Sequence, residues 1–93
     1  MRTIHAVNAH RRDLRRVKSN PRHRKLDNLL LPLLESLAAD KPLSASNRDH
    51  SLSGDWADHR ECHVKPDLLL IYWKSEPETL QLVRLGSHSD LFR

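Results

Sequence analysis

Residues 58–86 read DHRECHVKPDLLLIYWKSEPETLQLVRLG, and this run decides the fold. It holds three strand patterns in succession, separated by two turns. Over 58–65 the residues alternate, with Cys62 and Val64 on one face and His59, Glu61 and His63 on the other. Lys65-Pro66-Asp67 is turn chemistry. Residues 68–73, LLLIYW, are continuously apolar, the pattern of a strand buried on both faces. KSEPE then turns the chain, and TLQLVRL at 79–85 forms a further strand that Gly86 ends. Strands joined by turns this short pair antiparallel.

Upstream of that run the period changes from two to 3.6. Leu26, Leu29, Leu30, Leu33, Leu34 and Leu37 form one apolar stripe on a helix. Pro32 lies inside it, removes a backbone donor and predicts a kink. Asn20-Pro21 has the chemistry of a helix start, Asn as cap and Pro at the first helical position. An earlier helix over 9–19 carries Leu14 and Val17 on one side and arginines around the rest. Residues 3–7, TIHAV, are a short strand. Residues 40–55 read as an extended loop, and Ser87 to Arg93 as a tail. The order is β-α-α-β-β-β: one α+β domain over 1–93, an antiparallel sheet packed against two N-terminal helices.

A chain of 93 residues buries a single modest core. That size excludes a separate cofactor domain, a doubly wound fold or a large barrel. The single cysteine, Cys62, excludes an internal disulfide and fits a reducing compartment. No stretch approaches the roughly 18 apolar residues of a membrane span, and the N-terminus lacks a signal peptide's apolar core. The expectation is a cytoplasmic protein with no membrane partner.

The net charge of +4 conceals an asymmetry. Residues 1–25 carry nine Lys or Arg and one acid, Asp13; the rest of the chain is net acidic. Arg11, Arg12, Arg15 and Arg16 crowd the first helix, suited to a phosphate backbone or an acidic protein partner. A solvated helix face is the bland alternative. His5, His10 and His23 belong to this segment and are expected to be solvated.

Titratable groups concentrate in residues 49–67, which hold three histidines, four aspartates, Glu61 and Cys62. Three readings compete. His59, Cys62 and His63 are zinc-type donors, but on a strand Cys62 points away from the two histidines, and the spacing matches no zinc-finger pattern. A polar loop with locally bonded histidines is the second. Acid–base chemistry is the third, since histidine moves protons near neutral pH. RNA cleavage needs a base for the ribose 2′-hydroxyl, a cation for the phosphorane and an acid for the leaving 5′-oxygen. His50, His63, Asp67, Arg84 and His88 supply those types.

The segments DHSLSGDWADHRECHVKPDLLLIY (49–72) and LVRLGSHSDLF (82–92) resemble the YafQ branch of the RelE/ParE toxin superfamily. The branch pattern is Asp-His, Leu-x-Gly, an aromatic, Arg-[Asp/Glu]-x-His-Val-x-Pro-Asp, an apolar strand ending in Ile-Tyr, and Arg-x-Gly-[Ser/Thr]-His-x-x-Leu-Phe. Every element is present in order, and the resemblance spans 26–93. It implies the toxin of a type II toxin–antitoxin pair, a ribosome-dependent endoribonuclease cutting mRNA in the 30S A site, with no metal or cofactor. It implies His50 and Asp67 on the general-base side, with His63 holding the nucleotide or sharing the proton. Arg84 would stabilise phosphate charge, His88 would be the general acid and Phe92 would stack on a base. Glu61 falls where the family often has an acid. Arg11, Arg12, Arg15 and Arg16 would meet an acidic antitoxin, ribosomal RNA, or each in turn, and operator DNA would be reached only through the antitoxin. Leu68 departs from the pattern where some relatives have Trp. Two other readings stay open: a ParE-like poison of DNA gyrase that binds without catalysis, and a degenerate toxin acting only as co-repressor. The His/Asp/Arg/His set, which gyrase poisons lack, separates the first of these.

Overall fold

The structure is a computed structural model and describes residues 1–92; the tail reading extends to Arg93, which lies outside the described residues. The chain runs β1 (Thr3–Ala6), α1 (Asn8–Lys18), α2 (Leu26–Ala38), β2 (His50–Ser51), β3 (Arg60–Lys65), β4 (Leu68–Glu76), β5 (Thr79–Gly86) and α3 (His88–Leu91). Three single 3₁₀ turns punctuate it at Pro21–His23, Ala45–Asn47 and Gly54–Trp56. The α+β architecture is as read from the sequence, with three differences. The sheet is mixed: its order is β1-β5-β4-β3-β2, and β1 lies parallel to β5. A short strand, β2, pairs with β3 where a loop was expected. The tail contains one helical turn, α3.

The parallel pair has a topological cause. The two helices carry the chain to β2 at the far edge of the sheet, which runs opposite to β1, and the β2–β3–β4–β5 meander then reverses three times and brings β5 back beside β1 in the same direction. The β3–β4–β5 meander is antiparallel throughout, as the short turns require.

The apolar run at 68–73 becomes the middle strand, buried on both faces. Towards the helices, Cys62, Val64, Leu68, Leu70, Tyr72, Leu80, Leu82 and Leu85 pack with Val17 and the α2 leucines. On the outer face, Leu69 and Ile71 pack with Leu91, joined by Leu52, Trp56, Val83 and Phe92. Burial, with the nearby Asp49 and Glu61 carboxylates, pushes the Cys62 thiol up to about 12, so it is inert near neutral pH.

Local details depart from the helix readings. Asn20 caps the 3₁₀ turn, its side chain accepting from the Arg22 amide at 3.0 Å, and α2 begins later, at Leu26. The helix assignment runs unbroken across Pro32, which lies on the exposed side. Leu29, counted in the stripe, is 48% exposed, while Leu26, Leu30, Leu33, Leu34 and Leu37 are buried. His10, expected in solvent, is fully buried in α1. Its burial lowers its pKa from 6.5, against opposing pulls from Asp13 and a hydrogen bond to the Arg84 backbone.

One irregularity matters for the site. Ile71 stands opposite Arg84 but Tyr72 stands opposite Leu82, so Val83 is an extra residue in β5. This bulge lets Leu82 and Leu85 both face the helices, while Val83 joins the outer cluster and Arg84 stands across from Ile71.

Candidate active site

Strand register assembles the site. Residues directly opposed in an antiparallel pair share a face. His50 pairs with Glu61, Glu61 with Ile71, and Ile71 with Arg84, forming one row across four strands. The next row is His63, Leu69 and Gly86. Both rows lie on the outer face, and α3 brings His88 and Phe92 over it, anchored by Leu91 against Leu69 and Ile71. A capping box fixes α3: Ser87 Oγ accepts from the Asp90 amide and Asp90 from the Ser87 amide.

Glu61 is the centre of the constellation. It is only 3% exposed, yet it is a carboxylate. Oε2 lies 3.0 Å from His50 Nε2, and Oε1 lies 4.0 Å from His88 Nε2. Among the described residues no donor bonds Oε1. His50 Nδ1 stands 2.7 Å from the Arg48 carbonyl, which can only accept. Nδ1 therefore carries a proton, and the Nε2–Oε2 contact needs a second proton held between His50 and Glu61. The strand carrying His50 is pinned from the opposite side: Asp49 accepts from Tyr72 Oη at 2.6 Å and from Arg60 Nε at 3.2 Å. Burial and the Asp49 charge raise the Tyr72 pKa, so the phenol remains a donor.

His63 has the opposite character. Its Nδ1 lies 3.3 Å from the Pro66 carbonyl across the β3–β4 turn. In the neutral ring that contact places the proton on Nδ1 and leaves Nε2 as a lone-pair acceptor. His88 is exposed, and its ring centroid is 5.4 Å from that of Phe92.

Two of the expected site residues are engaged elsewhere. Asp67 is joined to Arg22 at 3.2 Å, across an exposed pair. It lines a cleft of about 350 Å³ with Arg16, Arg22, His23, Gly86, Ser87 and others. The Arg22 backbone is held in turn: Lys65 Nζ donates to its carbonyl at 2.9 Å and to His23 Nδ1 at 3.0 Å. Arg84 starts in the His50–Glu61 row but forks onto Asp13 of α1, through Nε at 2.7 Å and Nη2 at 3.3 Å. Nη1 lies outside that fork. Asp13 also accepts the Leu85 amide at 2.9 Å. Burial pushes its carboxyl up, but these hydrogen bonds and the charges of Arg84 and Arg16 outweigh it and hold the pKa below 3.8.

The four arginines of α1 divide. Arg16 is a structural tie, reaching Asp13 at 3.3 Å, the Leu85 carbonyl at 3.2 Å and Asp90 at 3.6 Å. Arg11, Arg12 and Arg15 are exposed and line one shallow cleft with Asn8 and Leu14. Among the described residues no group of three or more His, Cys, Asp or Glu side chains is placed to hold a metal ion, and no helix is long and apolar enough to cross a membrane.

Sequence reasoning missed Asp13, Arg22 and Asp49. One signal existed for Asp13: it is the only acid among nine basic residues in 1–25. Asp49 stands in the Asp-His pair that opens the 49–72 segment, but nothing local marks Arg22, whose partner Asp67 lies far along the chain.

The family described as "Bacterial toxin of type II toxin-antitoxin system, YafQ" matches residues 2–93. The mRNA interferase toxin YafQ of Escherichia coli K12 is 37% identical over 71 residues, covering 76% of each chain. A crystal structure of a metal-bound toxin from Helicobacter pylori is 44% identical, with a TM-score of 0.88, over 99% of this chain and 100% of that one. YafQ in the E. coli DinJ–YafQ complex is 33% identical, with a TM-score of 0.84, and both chains are covered in full.

Proposed function

This chain belongs to the YafQ family of bacterial type II toxins, and from that premise we propose that it is an mRNA endoribonuclease held in check by an antitoxin. The observation that carries the reading is the buried Glu61 carboxylate lying between His50 and His88 on the outer sheet face, with His63 in the next row. Gyrase poisoning or co-repression alone requires no such set.

The reaction divides among these residues. His63 Nε2 takes the proton from the ribose 2′-hydroxyl, and the 2′-oxygen attacks the adjacent phosphorus. The 5′-oxygen leaves and takes a proton from His88, giving a 2′,3′-cyclic phosphate and a free 5′-hydroxyl. Protons lost and gained balance across the step. Glu61 orients both flanking histidines. This assignment moves the base from His50, whose Nε2 is committed to Glu61, to His63. Asp67, beside the same turn, supports the base side once it leaves Arg22. Arg84 stabilises the phosphorane through Nη1, and Phe92 stacks on a base near His88.

The ribosomal A site is the expected place of cleavage, in the cytoplasm. Arg11, Arg12 and Arg15 then present positive charge to ribosomal RNA, or to the antitoxin when it binds. The E. coli relative's complex with DinJ supports an antitoxin partner here. The test is an in vitro translation reaction with mapping of mRNA 5′ ends, using wild type and His88→Gln, each stripped with chelator that is removed before mixing. Cuts at A-site codons that survive stripping and vanish in the variant support the reading. Intact mRNA with wild-type protein would sink it and make gyrase the next target to assay.

A further inference from the structure

Five aromatic rings follow one another across the outer sheet face, starting at the candidate active site. The His88 and Phe92 centroids are 5.4 Å apart, Phe92 and Trp56 6.3 Å, Trp56 and His59 5.4 Å, and His59 and Trp73 5.2 Å. Register explains the far end: His59 and Trp73 lie one step beyond the Arg60–Tyr72 pair, two residues from Glu61 and Ile71 on the same face. The aromatic row is thus the immediate neighbour of the His50–Glu61–Ile71–Arg84 row.

Packing accounts for only part of this series. The chain has four Trp, Tyr and Phe residues, and three of them are here; only Tyr72 serves the helix-side core. Trp56 and Phe92 border the outer cluster, but His59 and Trp73 belong to neither core cluster. Every ring from Phe92 to Trp73 is half-buried and His88 is exposed. A core built on leucine leaves its large rings at the surface, contiguous with the place where RNA would be cut.

We propose that this ladder is a stacking platform for the single-stranded RNA that flanks the cleaved nucleotide, an inference that rests on the nuclease reading above. Bases of any sequence have a π face, so aromatic side chains hold single strands with little sequence preference. The neighbouring acids argue for bases and against backbone as the bound group. Asp55 and Asp58 are exposed in the same loop and repel phosphate, so the backbone runs outward while bases turn in.

Both tryptophans of the chain lie in the ladder, so intrinsic fluorescence reads it directly. The probe is a mixed-sequence RNA octamer with 2′-O-methyl riboses, which binds but has no nucleophile. Quenching by this single strand, but not by its duplex, is the expected result. Anisotropy of the end-labelled octamer should then give a Kd at least roughly fivefold weaker for Trp73→Ala. Trp73→Phe should recover most of that affinity, and His59→Ala, a milder change, should show a loss of its own. Equal affinities for wild type, Trp73→Ala and His59→Ala would overturn the platform. So would quenching by duplex and single strand alike. Cleavage in the translation reaction separates the two claims. Cutting without octamer binding to the ladder removes the platform and leaves the nuclease standing; ladder-dependent binding without cutting keeps the platform and removes the nuclease.

Discussion

Replacing Asp13 tests whether the buried link between α1 and β5 holds the fold together. Alanine removes the acceptor of the Arg84 fork, at 2.7 and 3.3 Å, of the Leu85 amide, at 2.9 Å, and of Arg16, at 3.3 Å. The Leu85 amide, which lies past the end of β1, is left buried without a partner, at a cost of about 1–3 kcal/mol. Removing one member of a buried ion pair costs about 3–5 kcal/mol. Arg84 keeps 28% of its side chain in solvent, so water recovers part of that sum and about 3 kcal/mol is the expected loss. For a domain of this size that lowers Tm by more than about 10 °C. Asp13→Asn keeps an acceptor for the Leu85 amide and should lose less, about 1–2 kcal/mol. Urea denaturation at neutral pH measures each variant, and the Asp13→Ala/Arg84→Ala cycle should give a coupling of about 1–3 kcal/mol. The pH dependence has a definite sign. The folded carboxyl titrates below its unfolded value near 3.8, so the contribution is complete above about pH 4 and disappears as pH falls through the folded value. An Asp13→Ala variant within about 0.5 kcal/mol of wild type, or a coupling near zero, would refute the reasoning.

Other outcomes follow from the same geometry. His10 is held below 6.5 when folded, so the unfolded chain binds its proton first and stability falls as pH drops below 6.5; urea midpoints of His10→Gln should flatten over that window. Cys62 in the native protein should resist iodoacetamide near pH 8 and react once the chain is denatured, as mass spectrometry would register. Glu61→Gln keeps the shape but not the charge between His50 and His88, and should slow cleavage at least tenfold while thermal unfolding shows a folded protein. Arg22→Ala breaks only an exposed pair with Asp67, so it should cost under about 1 kcal/mol in urea denaturation.

The antiparallel meander was legible in the sequence because strand alternation and short turns are local signals. LLLIYW announced its two-sided burial, and α2 its buried stripe. The β1–β5 pairing was not legible, since no local pattern says which strand a four-residue edge strand will join. Site residues that sit beside each other by register, His50 with Glu61 and His63 in the next row, could be grouped from their motifs. The destinations of Arg84 and Asp67 could not. Each side chain reaches a partner on an element far along the chain, Asp13 and Arg22, and only tertiary packing decides that choice. His10 shows the same limit: its neighbours on α1 are arginines, yet the helix turns it inward.

The pairing of Thr3 with Thr79 has a consequence for biosynthesis. The first strand of the chain cannot take its place until the last described strand, β5, has been made. At about 5–20 residues per second, the interval is roughly 4 to 15 seconds. His88 and Phe92 emerge later still, so a nascent chain lacks both the closed sheet and half of its histidine pair. On the proposed reading, a chain cut short before α3 would lack the general acid His88, so cleavage would begin only once α3 has been made.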